Sequence, residues 1–182
     1  MTNDAAASTA PPTNTVVVTE SERKSLWFLT NLVREIATGA DTNGAYYLAE
    51  VTAPPGDQAP LHMHTREEEA FLLLEGQVTL WVGDEVKVLN PGDFGLMPRM
   101  VPHCYGVTSD VDARWLILTS PAGFEGFVHA VSVPAEEDRI PDAQAPTPEQ
   151  AGVLAAIGAS FGVEMLGAPG MLPTDLKATD QS

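Results

Sequence analysis

Residues 56–76 of the chain read GDQAPLHMHTREEEAFLLLEG, with two histidines one residue apart near the middle. On a β-strand, side chains at positions i and i+2 point to the same face. His62 and His64 are therefore expected to project together, and a carboxylate follows in the run Glu67-Glu68-Glu69. Imidazole nitrogens and a carboxylate oxygen suit a first-row transition metal, so this stretch predicts the start of a metal site.

A third histidine, His103, follows in another segment of β-rich sequence. In a barrel, strands that are distant in sequence face each other across the interior. The sequence therefore predicts that His62, His64, Glu69 and His103 converge on one divalent ion. Three neutral imidazoles and one carboxylate leave such an ion with a net positive charge, and they leave coordination positions free for substrate, water or dioxygen.

The chain around these residues is predicted to be all-β. Short apolar segments alternate with turn signals roughly every 8–12 residues between positions 40 and 121, which is typical of a sandwich or barrel. Asn43-Gly44 is a strong signal of this kind. The segment Leu26–Ile36 fits a strand and also fits a short helix, and the pattern leaves both open.

A helix is predicted near the C-terminus, with Thr147 as its N-cap, Pro148 as its first residue and Gln150 completing a capping box. It is expected to run to about Ser160 and to stop at Gly162. The resulting division of the chain is a disordered tail at 1–15, a β-barrel with an N-terminal strand extension at 16–130, an acidic loop and helix packing on the barrel at 131–166, and a loose tail at 167–182.

Composition excludes several classes of protein. The 182 residues carry 9 Lys and Arg against 25 Asp and Glu, a formal net charge of −16 that opposes binding to nucleic acid. There is no basic cluster for an anionic membrane and no apolar stretch near the roughly 20 residues of a spanning helix. One cysteine cannot form an internal disulfide, and the N-terminus lacks the features of a secretory signal. These features predict a cytoplasmic protein.

The spacing of the metal-site residues resembles two motifs of the cupin family. Gly56, His62-x-His64, Glu69 and Gly76 match the first motif, and Gly92, Pro98 and His103 match most of the second. Met100 stands where the family usually has glycine, and Val107 where it often has asparagine. The flanking segments at 121–124 and 161–167 resemble single-domain bacterial cupins described as similar to quercetin 2,3-dioxygenase.

This resemblance implies a cupin-type β-barrel or jelly roll, present as a homodimer, with a short C-terminal helix and a disordered N-terminal tail. It implies that His62, His64, Glu69 and His103 bind one divalent transition metal per chain, with Ni, Mn, Fe or Co ahead of Zn or Cu. It also implies a dioxygenase for a flavonol-like or other enolisable aromatic substrate. In that reaction Glu69 takes the proton of a substrate hydroxyl, dioxygen attacks the electron-rich ring and carbon monoxide leaves.

Two other functions remain open on the same residues. One is a non-redox metal-dependent isomerase or cyclase of secondary metabolism, in which the ion polarises a carbonyl. The other is a cupin that binds a small molecule without turning it over, because a fold and even a site do not fix an activity.

The choice among the three consecutive glutamates depends on strand register. Counting back six intervening residues from Gly76 selects Glu69 as the ligand and turns Phe71 and Leu73 inward. Glu68 would reverse that register and is the second choice. Glu67 is predicted to face solvent or to pair with Arg66.

The remaining candidate residues are not predicted to bind the metal. His129 lies outside both motifs and is predicted to be structural or exposed, and Cys104 is predicted to be a small buried hydrophobe that points away from the metal. Eight large side chains are candidates for the pocket or the ordinary core: Phe28, Tyr47, Phe71, Met97, Tyr105, Trp115, Phe124 and Phe127.

Overall fold

The computed structural model describes residues 15–142 and 146–179, and all twelve of its strands lie in two antiparallel sheets. The all-β prediction is therefore confirmed. The disordered tail predicted for residues 1–15 lies outside the described residues, apart from its last residue. Within the described ranges, no helix combines the length and the apolar character needed to cross a membrane.

Twelve strands and three α-helices make up the described fold. The strands are β1 (Lys24–Phe28), β2 (Asn31–Ala37), β3 (Tyr47–Ala53), β4 (Pro60–His64), β5 (Glu68–Glu75), β6 (Val78–Val82), β7 (Glu85–Leu89), β8 (Phe94–Met97), β9 (His103–Val107), β10 (Ala113–Ser120), β11 (Ser132–Pro134) and β12 (Val163–Pro169). The helices are α1 (Phe124–Val131), α2 (Pro148–Ser160) and α3 (Pro173–Thr179).

The larger sheet has the strand order β11-β1-β2-β3-β10-β5-β8, and the smaller has the order β12-β4-β9-β6-β7. Every second side chain of a strand faces the space between the two sheets, and these side chains fill it from both sides. Trp115 and Leu73 do so from the larger sheet, and Val78 does so from the smaller. Burying each large apolar side chain contributes about 1.5–3 kcal/mol. The core is thus a closed sandwich in which inward-facing positions of both sheets meet.

The ambiguous segment Leu26–Ile36 forms a hairpin of two strands, β1 and β2. The chain reverses at Leu29, which adopts a left-handed backbone with φ of 55°. Turns of this kind favour glycine or asparagine, and neither residue stands at this position. The sequence therefore carried no visible sign of the reversal.

The predicted C-terminal helix is confirmed as α2. The Thr147 hydroxyl accepts a hydrogen bond from the backbone N–H of Gln150, and the Gln150 side chain accepts one from the N–H of Thr147. Gly162 follows the helix with φ of 86°, a conformation that glycine adopts without strain.

Helix α1, strands β11 and β12 and helix α3 differ from the sequence-based expectation. Helix α1 was not predicted, and the segment expected to be loose from residue 167 contains the end of β12 and all of α3. β12 pairs with β4, opposite both His62 and His64, so it flanks the strand that carries two of the predicted ligands. The division of the chain at 130, 131 and 166 stays a prediction.

Candidate metal centre

The four predicted ligands come together between the two sheets. His62 and His64 lie on β4, and His103 lies on β9 directly opposite His62. Glu69 reaches the same place from β5 of the other sheet. One candidate ligand atom from each residue lies within 4.8 Å of all the others, and this arrangement can hold a metal ion.

The backbone orients two of the three imidazoles. The Nδ1 atoms of His62 and His103 lie 2.8 Å from the carbonyl oxygens of Pro60 and Val101. Because a carbonyl oxygen only accepts hydrogen bonds, Nδ1 carries the proton in both rings. Nε2 of each ring is therefore the atom available to a metal.

Two ring nitrogens that face the centre have no hydrogen-bond partner among the described residues. His103 Nε2 lies 3.2 Å from Glu69 Oε2, and His64 Nε2 lies 3.9 Å from Glu69 Oε1, yet both nitrogens are buried without such a bond. Buried polar atoms normally have partners. Unpartnered nitrogen donors around one carboxylate are the chemistry that a divalent ion satisfies, so the residues present fit such an ion.

Burial and mutual charge set the protonation of the ligands. Burial, with the neighbouring His103, lowers the pKa of His62 to about 3, so this ring is neutral. Burial alone would raise the pKa of Glu69, but His64 and the other two imidazoles outweigh it and lower that pKa to about 2. Burial also favours neutral His64, but the carboxylates of Glu69 and Glu67 raise its pKa above the ordinary value.

The structure distinguishes the three consecutive glutamates. Glu69 is buried and faces the histidines, and Glu68 is exposed. Phe71 and Leu73 are buried as the Glu69 register requires, while Leu72 is 37% exposed. The register predicted from the spacing to Gly76 is the observed one.

The prediction for Glu67 was wrong. This side chain is 1% exposed, and its Oε2 lies 3.5 Å from Nδ1 of His64. Arg66 turns away and donates to the carbonyl oxygen of Ser160. The signal that could have found Glu67 is its spacing of three from His64, since a turn after β4 brings such a residue back to the ring.

His129 and Cys104 lie outside the centre. His129 Nε2 is 2.6 Å from Oε1 of buried Glu35, and its side chain is 40% exposed, as expected of a structural residue. Cys104 is buried, and burial together with Asp175 raises the pKa of its thiol to about 11. A thiol with that pKa stays protonated near neutral pH and is a poor nucleophile.

A small apolar cavity of about 40 Å³ lies beside the centre. Phe71, which follows Glu69 on the inner face of β5, forms one wall. Phe124 forms another and places its ring centroid 5.1 Å from that of His64. Five of the eight side chains proposed for a pocket or core line this cavity: Phe28, Tyr47, Phe71, Trp115 and Phe124.

The motif glycines and their one replacement shape the turns around the centre. Gly76 has φ of 74°, and a Cβ there would lie 2.8 Å from the Cα of Ala113, so only glycine fits. Met100, at the position where a glycine is usual, has φ of 66° and donates its backbone N–H to the carbonyl of His64. The turn thus keeps its glycine-like backbone although the residue has changed.

Comparison with known proteins agrees with this geometry. Residues 49–119 match the family described as cupin domain, a range that contains all four candidate ligands. The chain is 33% identical over 105 residues to a quercetin 2,3-dioxygenase of Bacillus subtilis, and 30% identical over 115 residues to one of Aspergillus japonicus. These matches cover 58% and 59% of this chain but only 31% and 33% of the relatives, so it spans about a third of their length.

A solved structure has the same fold. A crystallised RmlC-like cupin from Shewanella frigidimarina superposes with a TM-score of 0.50 and 18% identity, over 59% of this chain and 93% of its own. At this identity the likeness concerns the fold alone.

Proposed function

We propose that this chain, whose residues 49–119 match the cupin-domain family, is a metal-dependent dioxygenase of a flavonol-like or other enolisable aromatic substrate. The observation that carries the proposal is the convergence of His62, His64, Glu69 and His103. The two quercetin 2,3-dioxygenases that it resembles support the choice of reaction.

One divalent transition metal per chain would be held by these four residues, with Ni, Mn, Fe or Co ahead of Zn or Cu. When bound, the ion would supply positive charge that stabilises an enolate. The ligands are prepared for the ion, because His62 and His103 each direct Nδ1 to a backbone carbonyl and present Nε2, and the pKa of Glu69 of about 2 keeps its carboxylate ionised.

Glu69 is the proposed catalytic base. It would accept the hydroxyl proton of the substrate, a step that needs an ionised carboxylate within hydrogen-bond reach. A carboxylate with a pKa of about 2 is a weak base. It therefore suits hydroxyl groups that are already acidic, such as those of enols conjugated to a carbonyl, and it suits simple alcohols poorly.

Substrate access is proposed on the side of His62. A drug-sized ligand occupies roughly 300–1,000 Å³, and the cavity behind the centre, at about 40 Å³, is far too small for a ring system. Of the four candidate ligands, His62 alone is partly exposed. An aromatic substrate would approach the ligands from this side.

The protein is further proposed to work in the cytoplasm as a homodimer, with dioxygen and a small organic molecule as its partners. Exposed apolar side chains on the outer face of β5, β8 and β10 support an association between two copies. These side chains are Leu72, Phe94, Leu96 and Leu118. A charge of −16 disfavours nucleic acid and anionic membranes as partners.

Metal analysis followed by an oxygen-electrode screen tests the proposal. Purified protein is loaded with each of the six ions and mixed with flavonols and related enols, and oxygen uptake is recorded. We expect one ion per chain and uptake that depends on both metal and substrate. Substrate conversion without oxygen uptake would favour an isomerase or cyclase, and tight binding without product would favour a binding protein. Either result would contradict the proposal.

A further inference from the structure

Glu67 is a buried carboxylate that the proposed reaction does not use. Its side chain is 1% exposed, and Oε2 has no hydrogen-bond partner among the described residues. A buried carboxylate oxygen without a hydrogen-bond partner is costly for the fold, so sequences rarely keep one without a use. Its Oε2 lies 3.5 Å from Nδ1 of His64, which is itself 1% exposed.

His64 differs from the other two imidazoles in what faces Nδ1. Backbone carbonyl oxygens lie 2.8 Å from Nδ1 of His62 and of His103, and they fix those rings. Nδ1 of His64 has no hydrogen-bond partner among the described residues, and the Glu67 carboxylate faces it instead. Without an acceptor on that side, the ring could present either nitrogen to the centre.

We propose that Glu67 is a positioning residue, which orients His64 and holds its proton on Nδ1 so that Nε2 faces the metal. This inference rests on the proposed metal centre. Histidine ligands commonly donate their second ring N–H to a carboxylate, which fixes the tautomer and makes the ligand nitrogen more basic.

The start of α1 closes the space around this pair. A Cβ at Gly123 would lie 2.7 Å from Oε1 of Glu67, so glycine at this position leaves room for the carboxylate. The next residue, Phe124, packs its ring 5.1 Å from the imidazole of His64. Glu67 and Phe124 therefore restrict the His64 ring from two sides. Gly123 allows this because it has no side chain to displace Glu67.

Substitution of Glu67 separates positioning from packing. Glu67→Gln keeps the length and one acceptor oxygen, whereas Glu67→Met keeps the length and has none. Glu68→Gln is the matched control, because Glu68 is adjacent and exposed. Co(II) affinity is measured by competition with a chromophoric chelator, and the visible spectrum of the Co(II) protein reports the ligand geometry. The melting temperature of the metal-free protein is recorded for each variant.

We expect Glu67→Met to weaken Co(II) binding about 10–100-fold and to alter the Co(II) spectrum, as loss of such a partner does elsewhere. Glu67→Gln should lie between Glu67→Met and wild type, and Glu68→Gln should match wild type. The metal-free melting temperature should not fall in Glu67→Met. Unchanged affinity in Glu67→Met, or a spectrum identical to that of wild type, would overturn the inference while leaving the metal centre intact. Failure of the wild type to bind Co(II) would overturn both.

Discussion

At the scale of single residues, the metal centre depends on which glutamate turns inward. Glu69 is buried among the histidines, whereas Glu68, at the preceding position of β5, points to solvent. The two side chains are chemically identical, so any difference between their variants reflects position alone. This pair therefore provides an internal control for the ligand assignment.

We expect Glu69→Gln to lower metal affinity at least about 100-fold, more than the loss of a residue that only supports a ligand. An amide is a neutral and weaker donor than a carboxylate, and it leaves the ion with more uncompensated charge. Metal content after dialysis, measured by elemental analysis, checks this. Glu68→Gln should retain full occupancy, and the reverse pattern would show that the ligand assignment is wrong.

Protonation of His64 should make metal binding depend on pH. The neighbouring carboxylates raise the pKa of His64 above its ordinary value of 6.5, and a metal must displace that proton. The charged ring stabilises the metal-free fold below pH 6.5, and this contribution is lost as the pH rises through the raised pKa. His62, with a pKa of about 3, stays neutral throughout this range.

The gain in melting temperature on adding metal should therefore increase from about pH 5 to about pH 8. Scanning calorimetry of metal-free and metal-loaded protein across that range checks the trend. A gain that is constant with pH would mean that no proton on His64 competes with the ion.

At the scale of elements, two turn positions, 76 and 100, both adopt a backbone that favours glycine, and only position 76 has it. Met100 holds a left-handed backbone, which costs a residue with a Cβ about 1–2 kcal/mol. We expect Met100→Gly to raise the free energy of unfolding by up to about 1 kcal/mol, since part of the relief is offset by the greater freedom of glycine in the unfolded chain. Metal affinity should not change, because the Met100 N–H bond to His64 is a backbone contact.

Gly76→Ala is the matched contrast. We expect it to lower the free energy of unfolding by about 2 kcal/mol or more, because the new Cβ clashes with Ala113 and the backbone φ is positive. Urea denaturation of both variants measures the two effects. Equal stability of Gly76→Ala and wild type would contradict the packing described for this turn.

Elements with a local signal could be predicted from the sequence, and those that depend on distant partners could not. The start of α2 has a local signal, because its capping box and Pro148 all lie within the four residues 147–150. Helix α1 has Gly123 as its N-cap residue, which has no side chain to accept a capping hydrogen bond. β12 contains Gly167 and Pro169 and resembles a loop until it pairs with β4.

The residues of the candidate site also differ in how well the sequence alone could place them. The ligands His62, His64 and Glu69 could be placed from alternation on the strand and from the spacing to Gly76. Glu67 was placed wrongly: its spacing of three from His64 is a weak signal, and its carboxylate lies against Gly123, at the start of a helix that the sequence pattern did not reveal. A carboxylate in a run of three is usually solvated, and only tertiary packing moves this one inside.

At the scale of the whole molecule, an apolar outer face distinguishes one end of the larger sheet. Phe94 and Leu96 on the edge strand β8 are 63% and 48% exposed, and Leu72 of β5 adjoins Phe94 in register. Exposed apolar patches of this kind commonly mark interfaces, and an edge strand offers unpaired backbone groups to a second copy. In a chain of net charge −16, two copies repel least where such uncharged side chains meet.

We expect wild-type protein to have twice the 19.3 kDa mass of the chain in solution, and the double variant Phe94→Ser, Leu96→Ser to be monomeric. Light scattering coupled to size-exclusion chromatography measures the mass. Val153→Ser on α2, where valine is 57% exposed, controls for loss of any exposed apolar side chain. A monomeric wild type, or a dimer unaffected by the double variant, would contradict this interface.

The fate of isotopically labelled dioxygen tests the proposed activity most directly. Metal-loaded protein is incubated with quercetin under ¹⁸O₂, and the product is analysed by mass spectrometry, with Glu69→Gln as the inactive control. A dioxygenase places both atoms of one dioxygen molecule in the product, so we predict that wild-type product carries two ¹⁸O atoms. A product without label, or no product from protein that holds one metal ion per chain, would contradict the assignment of flavonol dioxygenase activity to this site.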